Sequence, residues 1–386
     1  MLLHIMEDFT GIVQPFDSSL FHISQTQDSG NGLIATRAIS KGELLFKETP
    51  FIQNWDKNSV LAHERCSQCG VYMTPDRDIS LCSSLCGCSY CSESCNITAI
   101  SNGHQWLCAA YTNGGVIDQL SCTDTQGHII LALKVYAKVA QTMLEHPSFS
   151  GLISIALILN NIQQADYCRT AHAFRSGLGP IDETLFETLI APAYYDSYLA
   201  EPLNLFKSIF ESPSARVQWE AGDMGKDMAS KRCAEFLESE LFSDGQVLRQ
   251  VVGMFVTNNL ETSVLRPEGG SEAASGGTSE ELSPHSLRGT ALYKIYSKMN
   301  HSCECNTENR GSSSGEHGAE VSVYAARDIA AGEEIMTSYL HMTNPRTVSR
   351  KFRQEALQQY LFECKCALCT GPRNELVSSS DSESDY

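Results

Sequence analysis

The stretch Asn300-His301-Ser302-Cys303 decides how the rest of the chain is interpreted. Two later segments are spaced as if to return to it: residues 327–335, which contain Gly-Glu-Glu, and residues 360–369, which end in Cys-x-Cys-x-x-Cys. Any loop can contain the tetrapeptide alone, so the argument depends on the order and spacing of all three pieces. Three clustered cysteines leave a tetrahedral zinc one ligand short, and Cys303 is a candidate fourth ligand. Such a site would hold the C-terminal segment against residues 300–303.

The composition limits the class of protein. The chain has 386 residues, 42% of them apolar, which allows two or three domains with a sizeable core. No apolar run reaches the ~18–20 residues of a membrane span, and the start lacks the pattern of a secretory signal. A net charge of −18 argues against direct contact with nucleic acid and disfavours a DNA-binding zinc protein. The charge is compatible with a basic protein substrate, or with solubility alone.

Sixteen cysteines are many for this length, and most of them are clustered. Without an export signal we expect the cytoplasm or the nucleus, where thiols stay reduced, so this spacing favours zinc over disulfides. Residues 66–108 contain four pairs of candidate ligands: Cys66 and Cys69, Cys82 and Cys86, Cys91 and Cys95, His104 and Cys108. Eight ligands are enough for two tetrahedral zinc ions, which would supply folding energy to so short a module. Cys88 leaves it open which of Cys82, Cys86 and Cys88 are ligands.

Periodicity predicts a chain of mixed α and β structure. Strands are predicted from Phe21 and over residues 43–48 and 321–325. Gly30-Asn31-Gly32 indicates a tight turn, although two glycines there would also let a cofactor approach the backbone closely. Residues 127–260 are predicted to be mostly helical, with helices at 128–144, 151–163, 183–190, 198–211 and 229–260, and breaks near 213 and 222. Flexible segments are expected at 266–286, 309–318 and the Ser-rich end.

Taken in order, these pieces resemble the SET–MYND (SMYD) family of lysine methyltransferases over about residues 20–372. The shared features are a Gly-Leu-x-Ala-Thr start, the cysteine module, a helical insert, Asn-His-Ser-Cys, a Gly-Glu-Glu strand with Ser-Tyr, and the final cysteines. The resemblance implies an α+β fold: a SET domain of several small sheets with a C-terminal pseudoknot, which is a rare exception to the rule against threading. The spacing of the cysteine module and the YLF-x-C-x-C-x-x-C ending look most like one branch of the family.

The resemblance also implies a domain division. The SET N-terminal part would be residues 20–60, the MYND-type zinc module 61–110, the helical insert 111–250, the SET C-terminal part 251–345, the post-SET zinc segment 346–372 and the acidic tail 373–386. It implies S-adenosylmethionine and three zinc ions as cofactors, and a protein with an accessible lysine as substrate, either a histone or another protein such as a ribosomal one. A monomer is expected, with no membrane or nucleic-acid partner.

The resemblance assigns roles to individual residues. Tyr339 would be the hydroxyl beside the transferring methyl group. Tyr360, Phe362 and Tyr296 would line the lysine channel, and the alternation of Tyr360 and Phe362 predicts one strand face; ordinary core packing is the alternative. Cofactor contacts would come from Gly30, Asn31, Gly32, Leu33, Asn258, Asn300, His301, Tyr339, Tyr360 and Phe362. Asn300 and His301 would hold the cofactor through backbone and side-chain hydrogen bonds, and a neutral His301 ring could pair with the adenine edge. Asn258 matches the family only loosely.

The family's zinc ligands would pair in crossed order. One ion would take Cys66, Cys69, Cys91 and Cys95, a second Cys82, Cys86, His104 and Cys108, and a third Cys303, Cys364, Cys366 and Cys369. The chain departs from the family at Cys305 and Lys294, where many members have proline. The competing hypothesis is a non-catalytic adaptor that binds partners through its MYND module.

Overall fold

A computed structural model of the full chain provides the structure. It describes residues 19–26, 30–55, 65–73, 79–84, 86–112, 115–121, 127–158, 193–222, 224–243, 245–264, 287–311, 319–340, 342 and 344–371. The predicted helix at 183–190, the 266–286 segment, the acidic tail and most of the 309–318 loop lie outside these ranges.

Three antiparallel sheets of three strands form the β part, and each joins the two ends of the chain. The strands are β1 Phe21–Thr26, β2 Gly30–Ala35, β3 Leu44–Glu48, β4 Ile52–Trp55, then, after two short strands, β7 Asn259–Val264, β8 Leu287–Leu292, β9 Thr307–Gly311, β10 Val321–Ala325 and β11 Glu334–Ile335. Their orders are β1-β2-β11, β3-β10-β9 and β4-β8-β7. Everything between β4 and β7 is therefore an insertion into one sheet system.

Two turns of similar sequence pair with each other through an antiparallel bridge. Residues 37–43 read RAISKGE and residues 327–333 read RDIAAGE. In each turn the arginine bonds the glutamate at 2.6 Å, and the glycine before the glutamate has a φ of +83° or +80°. Ile39 and Ile329 exchange two backbone hydrogen bonds of 2.9 Å. Sequence reasoning did not identify this repeat, although it can be read directly from the residues.

The predicted turn at Gly30-Asn31-Gly32 is wrong. These residues begin β2 and pair with Thr26, Gln25 and Ser24 of β1. Crowding explains the second glycine, because a Cβ atom on Gly32 would lie 2.5 Å from Glu334 Oε1 and 3.0 Å from Asn300 Nδ2. The glycine is needed for a close approach rather than for a bend.

The cysteine module (residues 65–112) is inserted after β4. It contains β5 Ser80–Leu81, β6 Ser89–Tyr90, α1 Glu93–Ser101 and α2 His104–Leu107. The Ser92 hydroxyl caps α1 by accepting a hydrogen bond from the Cys95 N–H at 3.2 Å. The module's own core consists mainly of cysteines with Val71, Met73, Tyr90 and Ala99. So few apolar side chains give little folding energy, as the sequence predicted.

A helical insert follows and surrounds one buried helix. The helices are α3 Val116–Ser121, α4 His128–Glu145, α5 Gly151–Ile158, α6 Ala193–Glu211, α7 Pro213–Glu220, α8 Lys226–Leu237 and α9 Gln246–Asn258. The α4 prediction is confirmed, and most of that helix is buried. The single helix predicted over 229–260 is wrong, because the chain breaks between α8 and α9, where Gly245 takes a φ of +78°, and continues as β7. No helix in the described ranges is long and apolar enough to cross a membrane.

The C-terminal segment (residues 344–371) packs beside residues 299–303. It consists of the 3₁₀ helix Pro345–Thr347, α10 Arg350–Leu357, the 3₁₀ helix Gln358–Tyr360 and α11 Ala367–Thr370. The strand predicted at 360–362 is wrong, since Tyr360 ends a 3₁₀ helix and Leu361 adopts the left-handed conformation with φ 60° and ψ 33°. A sharp turn, rather than strand alternation, sets the directions of Tyr360 and Phe362.

Candidate active site

The segment Asn300–Cys303 lies against the residues that follow β11. His301 and Thr337 form a parallel bridge, in which the Thr337 N–H donates to the Asn300 carbonyl at 3.0 Å and the Ser302 N–H donates to the Thr337 carbonyl at 2.9 Å. This pattern uses the peptide groups on either side of His301. The N–H and C=O of His301 itself therefore point away from Thr337.

Asn306 fixes this junction from inside. Its side chain is fully buried, its amide donates to the Glu334 carbonyl at 2.8 Å and its oxygen accepts from the Met336 N–H at 2.8 Å. The amide also reaches Glu333 Oε1 at 3.2 Å. Asn306 thus acts like a strand partner for residues 334–336. Asn306 was not identified from the sequence, although it stands only three residues after Cys303.

Asn300 connects the same junction to β2. Its amide donates to Glu334 Oε1 at 2.7 Å and to the Asn31 carbonyl at 3.2 Å. The side chain of Leu33, also on β2, is fully buried in the sheet core, so only its backbone can contact a ligand. The structure therefore places Asn31 and Gly32, two of the four predicted cofactor residues of β2, next to Asn300. Glu334 was not predicted, and it is the acceptor that orients Asn300.

The His301 ring has both nitrogens engaged by protein. The Tyr339 N–H donates to Nδ1 at 3.0 Å, and Nε2 lies 3.4 Å from Cys303 Sγ. Because Nδ1 accepts a hydrogen bond, the proton of the neutral ring belongs on Nε2, which faces the sulfur. The ring thus connects the Tyr339 backbone to the third cysteine group. This geometry opposes the predicted contact between the ring and an adenine edge.

Three aromatic rings, those of His301, Tyr360 and Phe362, surround Tyr339. The Tyr339 ring centroid lies 4.8 Å from that of Tyr360 and 6.2 Å from that of Phe362, with an interplanar angle of 87° to Phe362. The His301 centroid is 5.3 Å from Tyr339 and 5.9 Å from Phe362. Tyr339, Tyr360 and Phe362 are half-buried. A partly open aromatic group of this kind can receive the long apolar stem of a lysine side chain.

The Tyr339 hydroxyl is held in a fixed position. It donates a hydrogen bond to the Met299 carbonyl at 2.8 Å. Burial, reinforced by the nearby phenols of Tyr296 and Tyr360 and by Glu334, raises the pKa of Tyr339 well above its ordinary value. The phenol is therefore protonated at neutral pH, and its remaining lone pair can accept a hydrogen bond from a second group.

Two residues predicted for the site, Tyr296 and Asn258, lie outside the aromatic group formed by Tyr339, Tyr360 and Phe362. Tyr296 is buried in the sheet core, where its hydroxyl lies 3.1 Å from Thr337 Oγ1 and accepts from the Asn309 amide at 2.5 Å. Burial raises its pKa. Asn258 is buried at the end of α9, and its amide nitrogen donates to the Met254 carbonyl at 2.8 Å within the same helix.

The cysteines form three groups that match the predicted ligand sets. In each group the four ligand atoms lie within 4.8 Å of one another: Cys66, Cys69, Cys91 and Cys95; Cys82, Cys86, His104 and Cys108; Cys303, Cys364, Cys366 and Cys369. The sulfur of Cys303 is 3.9 Å from that of Cys364 and 3.6 Å from that of Cys369. Tetrahedral zinc with Zn–S bonds of ~2.3 Å requires sulfurs ~3.8 Å apart, so the residues fit zinc. Cys88 is buried outside all three groups.

Helix α10 supports the third cysteine group. The buried Arg353 donates to the Pro345 and Val348 carbonyls at 3.0 and 2.5 Å, and its other terminal nitrogen lies 3.6 Å from Cys369 Sγ. Gln354 makes two hydrogen bonds to the backbone of Cys364, of 2.8 and 3.0 Å. A zinc bound by four thiolates carries net negative charge, which a guanidinium at this distance offsets. Neither residue was identified from the sequence.

The family assignment follows from these features and from comparison with known proteins. The SET domain family model matches residues 30–340, which is more than half of the chain. The chain belongs to the SET domain family. The predicted family and the mixed fold of helices and small sheets are confirmed.

Its relatives include the branch that the sequence indicated, the fifth SMYD member. The protein-lysine N-trimethyltransferase SMYD5 of Gallus gallus is 24% identical, over 92% of this chain and 87% of the relative. SMYD5 of Homo sapiens is 23% identical, over 90% and 85%. The histone-lysine N-methyltransferase SET5 of Meyerozyma guilliermondii is 23% identical, and the match spans 92% of this chain but only 64% of the relative.

One solved structure, the SET domain of LSMT bound to lysine and AdoHcy, aligns with 93% of this chain and 55% of its own. The TM-score is 0.35 and the identity is 9%. A similarity this low carries no argument about the fold or the ligands of this chain.

Proposed function

We propose that this chain is a protein-lysine N-methyltransferase that uses S-adenosylmethionine. The observation that carries the proposal is the meeting of Asn300–Cys303 with Tyr339 inside a half-open aromatic group, in a chain of the SET domain family. The relatives named as lysine methyltransferases support lysine as the acceptor. We propose a protein substrate with an accessible lysine; a histone and a ribosomal protein would both provide one.

The aromatic group would receive the lysine side chain. A free lysine amine has a pKa of ~10.4 and must lose a proton before it can attack a methyl carbon. Tyr339, Tyr360 and Phe362 would disfavour the ammonium form by excluding water, while the fixed Tyr339 hydroxyl orients the amine. No nucleophile from the protein is needed, because in-line alignment of amine and methyl group supplies most of the rate enhancement.

The residues around Asn300 fit S-adenosylmethionine. The His301 peptide N–H and C=O point away from the bridge with Thr337 and would pair with the adenine edge, a role that the ring cannot take. Gly30, Asn31 and Gly32 would offer backbone contacts, and Asn300 would hold the amino-acid part. When bound, S-adenosylmethionine supplies the methyl group as an electrophile. Tyr296 and Asn258 would act only indirectly, through Thr337 and through the end of α9.

The three cysteine groups would hold structural zinc. All twelve ligand positions belong to the protein, so none is left open for a substrate. Two groups would fold the cysteine module, and the third would attach the C-terminal segment to the site. We propose that the chain is divided into a split SET domain, an inserted cysteine module and a helical insert. The pairing of strands from before and after the two inserted regions supports this division.

The test is transfer of a labelled methyl group from S-adenosylmethionine to protein lysines in a cell extract. We expect wild-type protein to label at least one band, Tyr339→Phe to label it at least ~100-fold more slowly, and Tyr324→Phe on β10 to match wild type. Calorimetry should give Tyr339→Phe a cofactor affinity within about threefold of wild type. Absence of cofactor binding by wild-type protein would contradict the proposal and favour the adaptor hypothesis.

A further inference from the structure

A cavity of about 70 Å³ lies where β4, the cysteine module and α4 meet. It is lined by aromatic and polar side chains, among them Phe51, Gln53, Cys88, Tyr90, Asn102 and Lys134. None of these belongs to the proposed active site. The volume holds about five water-sized groups, which is enough for a small organic molecule.

Three polar atoms in the cavity wall have no hydrogen-bond partner among the residues that the structure describes: Gln53 Oε1, Trp55 Nε1 and the Tyr90 hydroxyl. Tyr90 is fully buried, and Trp55 and Gln53 are 4% and 8% exposed. Buried polar groups in folded proteins are almost always hydrogen bonded, so unpartnered groups facing one cavity require a partner inside it, either water or a ligand. The hydroxyl can donate to an acceptor atom, and the Gln53 amide can present either end because its O and N are interchangeable.

The cavity also contains a lysine without a carboxylate partner. Lys134 Nζ donates to the Gln53 carbonyl at 2.7 Å, which uses one of its three protons. In the described ranges it forms no ion pair. Burial lowers the pKa of Lys134 to about 8, opposed by the neighbouring Cys88. An anion in the cavity would stabilise the ammonium form.

Two further lysines lie beside the cavity wall. Lys294 Nζ is 4.3 Å and Lys138 Nζ is 5.6 Å from the Phe51 ring centroid. The acidic groups that act on these two are Glu48 on Lys294 and Glu145 on Lys138. Lys134 therefore differs from these two lysines, because no carboxylate of the described residues shifts its pKa or forms an ion pair with it.

We infer that this cavity binds a small carboxylate with a short apolar body. The carboxylate would accept hydrogen bonds from Lys134 and Tyr90, and the apolar body would pack against Phe51 and Leu107. The site would lie across the junction between the cysteine module and the sheets. Its occupancy would therefore stabilise the contact between the two regions.

The test is ligand-observed NMR titration of the full zinc-loaded chain with butyrate, and with butyramide as the matched neutral probe. We expect a Kd on the order of 1 mM for butyrate, given its size, and binding at least ~10-fold weaker for butyramide. Lys134→Met should weaken butyrate binding at least ~10-fold and Tyr90→Phe about threefold. Lys226→Met, which removes an exposed lysine, should change nothing.

No butyrate binding up to about 20 mM, or equal affinity for butyrate and butyramide, would overturn the inference. Unchanged affinity in both Lys134→Met and Tyr90→Phe would do the same. Zinc content and the unfolding midpoint are measured for each variant. If Lys134→Met does not fold, Tyr90→Phe decides, because it removes one hydroxyl and keeps the ring.

Discussion

The cysteine module and the C-terminal segment use the same ligand chemistry for different purposes. The module takes its ligands from residues 66–108 and folds around them. The third group takes Cys303 from one segment and three ligands from another, about sixty residues later. Among the residues that the structure describes, it is this third group that touches the proposed active site, through the contact between Cys303 and the His301 ring. A metal site within one segment stabilises that segment, whereas a site shared by two segments also sets the geometry between them.

The largest expected effect is on the rate of methyl transfer, and it distinguishes the zinc site shared by two segments from the zinc sites within the cysteine module. Cys366→Ser should lose about one third of the bound zinc and slow methyl transfer at least ~100-fold, because Tyr360 and Phe362 lose their attachment. Cys91→Ser should also lose zinc but keep cofactor binding and activity within about threefold. Metal content by atomic emission and transfer of labelled methyl groups measure both. Equal loss of activity in the two variants would remove the distinction.

The second expected effect is on the free energy of unfolding. It concerns the contact between residues 300–303 and the residues that follow β11, which Asn306 stabilises. Asn306→Asp keeps the shape but replaces a buried donor by a carboxylate beside the Glu334 carbonyl and Glu333, so we expect a loss of ~2–3 kcal/mol in the free energy of unfolding. Asn96→Asp, in α1 of the cysteine module, removes one hydrogen bond to Ser80. It should cost less than ~1 kcal/mol. Urea unfolding compares them, and a similar cost for both would mean that Asn306 has no special role.

The third effect tests the turn between the channel aromatics. Leu361 holds a left-handed conformation that costs a non-glycine residue ~1–2 kcal/mol. Leu361→Val should add strain, lower stability by ~1 kcal/mol and slow methyl transfer about tenfold as the rings shift. Leu361→Gly, which adopts this conformation freely, should stay close to wild type. The reverse order of the two variants would show that the turn does not position the rings.

The smallest expected effect is on the melting temperature. It compares the turn at residues 37–43, whose glutamate bonds within the turn, with the turn at residues 327–333, whose glutamate also bonds another segment. Glu43 bonds within its own turn, whereas Glu333 also accepts from Asn306. Hydrogen bonds from Arg37 and Arg327 hold the pKa of Glu43 and of Glu333 below its usual range. The two ionised carboxylates therefore stabilise the folded protein at neutral pH, and this stabilisation is lost as the pH falls below about 4 and they become protonated.

Glu333→Gln should lower the melting temperature at pH 7 more than Glu43→Gln does. Both differences from wild type should shrink at about pH 3, where the wild-type carboxylates are protonated. Melting curves at the two pH values measure this. A difference that persists at low pH would mean that packing, and not charge, is the cause.

Ligand spacing allowed the sequence to predict four pairs of candidate ligands in residues 66–108 and the final cysteine cluster, because short separations of cysteine and histidine are typical of tetrahedral zinc sites. The crossed grouping of those pairs came from the family resemblance. The family followed from the order of the motifs. The alternation of Tyr360 and Phe362 predicted a strand, and this was wrong. Two aromatics separated by one residue fit a strand and a sharp turn equally well, and only the structure shows the left-handed conformation of Leu361. The sequence could not show that the His301 ring lies between the Tyr339 backbone and Cys303. The third cysteine group, on one side of that ring, is assembled from segments far apart in the chain.

The account's central claim is that a metal shared by two segments holds the aromatic channel against the cofactor site. Its most direct test is anomalous diffraction at the zinc edge from crystals grown with S-adenosylhomocysteine. We predict a zinc peak among Cys303, Cys364, Cys366 and Cys369, and ligand density at the His301 peptide with Tyr339 beside the sulfur. An absent third peak, or ligand density away from Asn300 and His301, would contradict the claim.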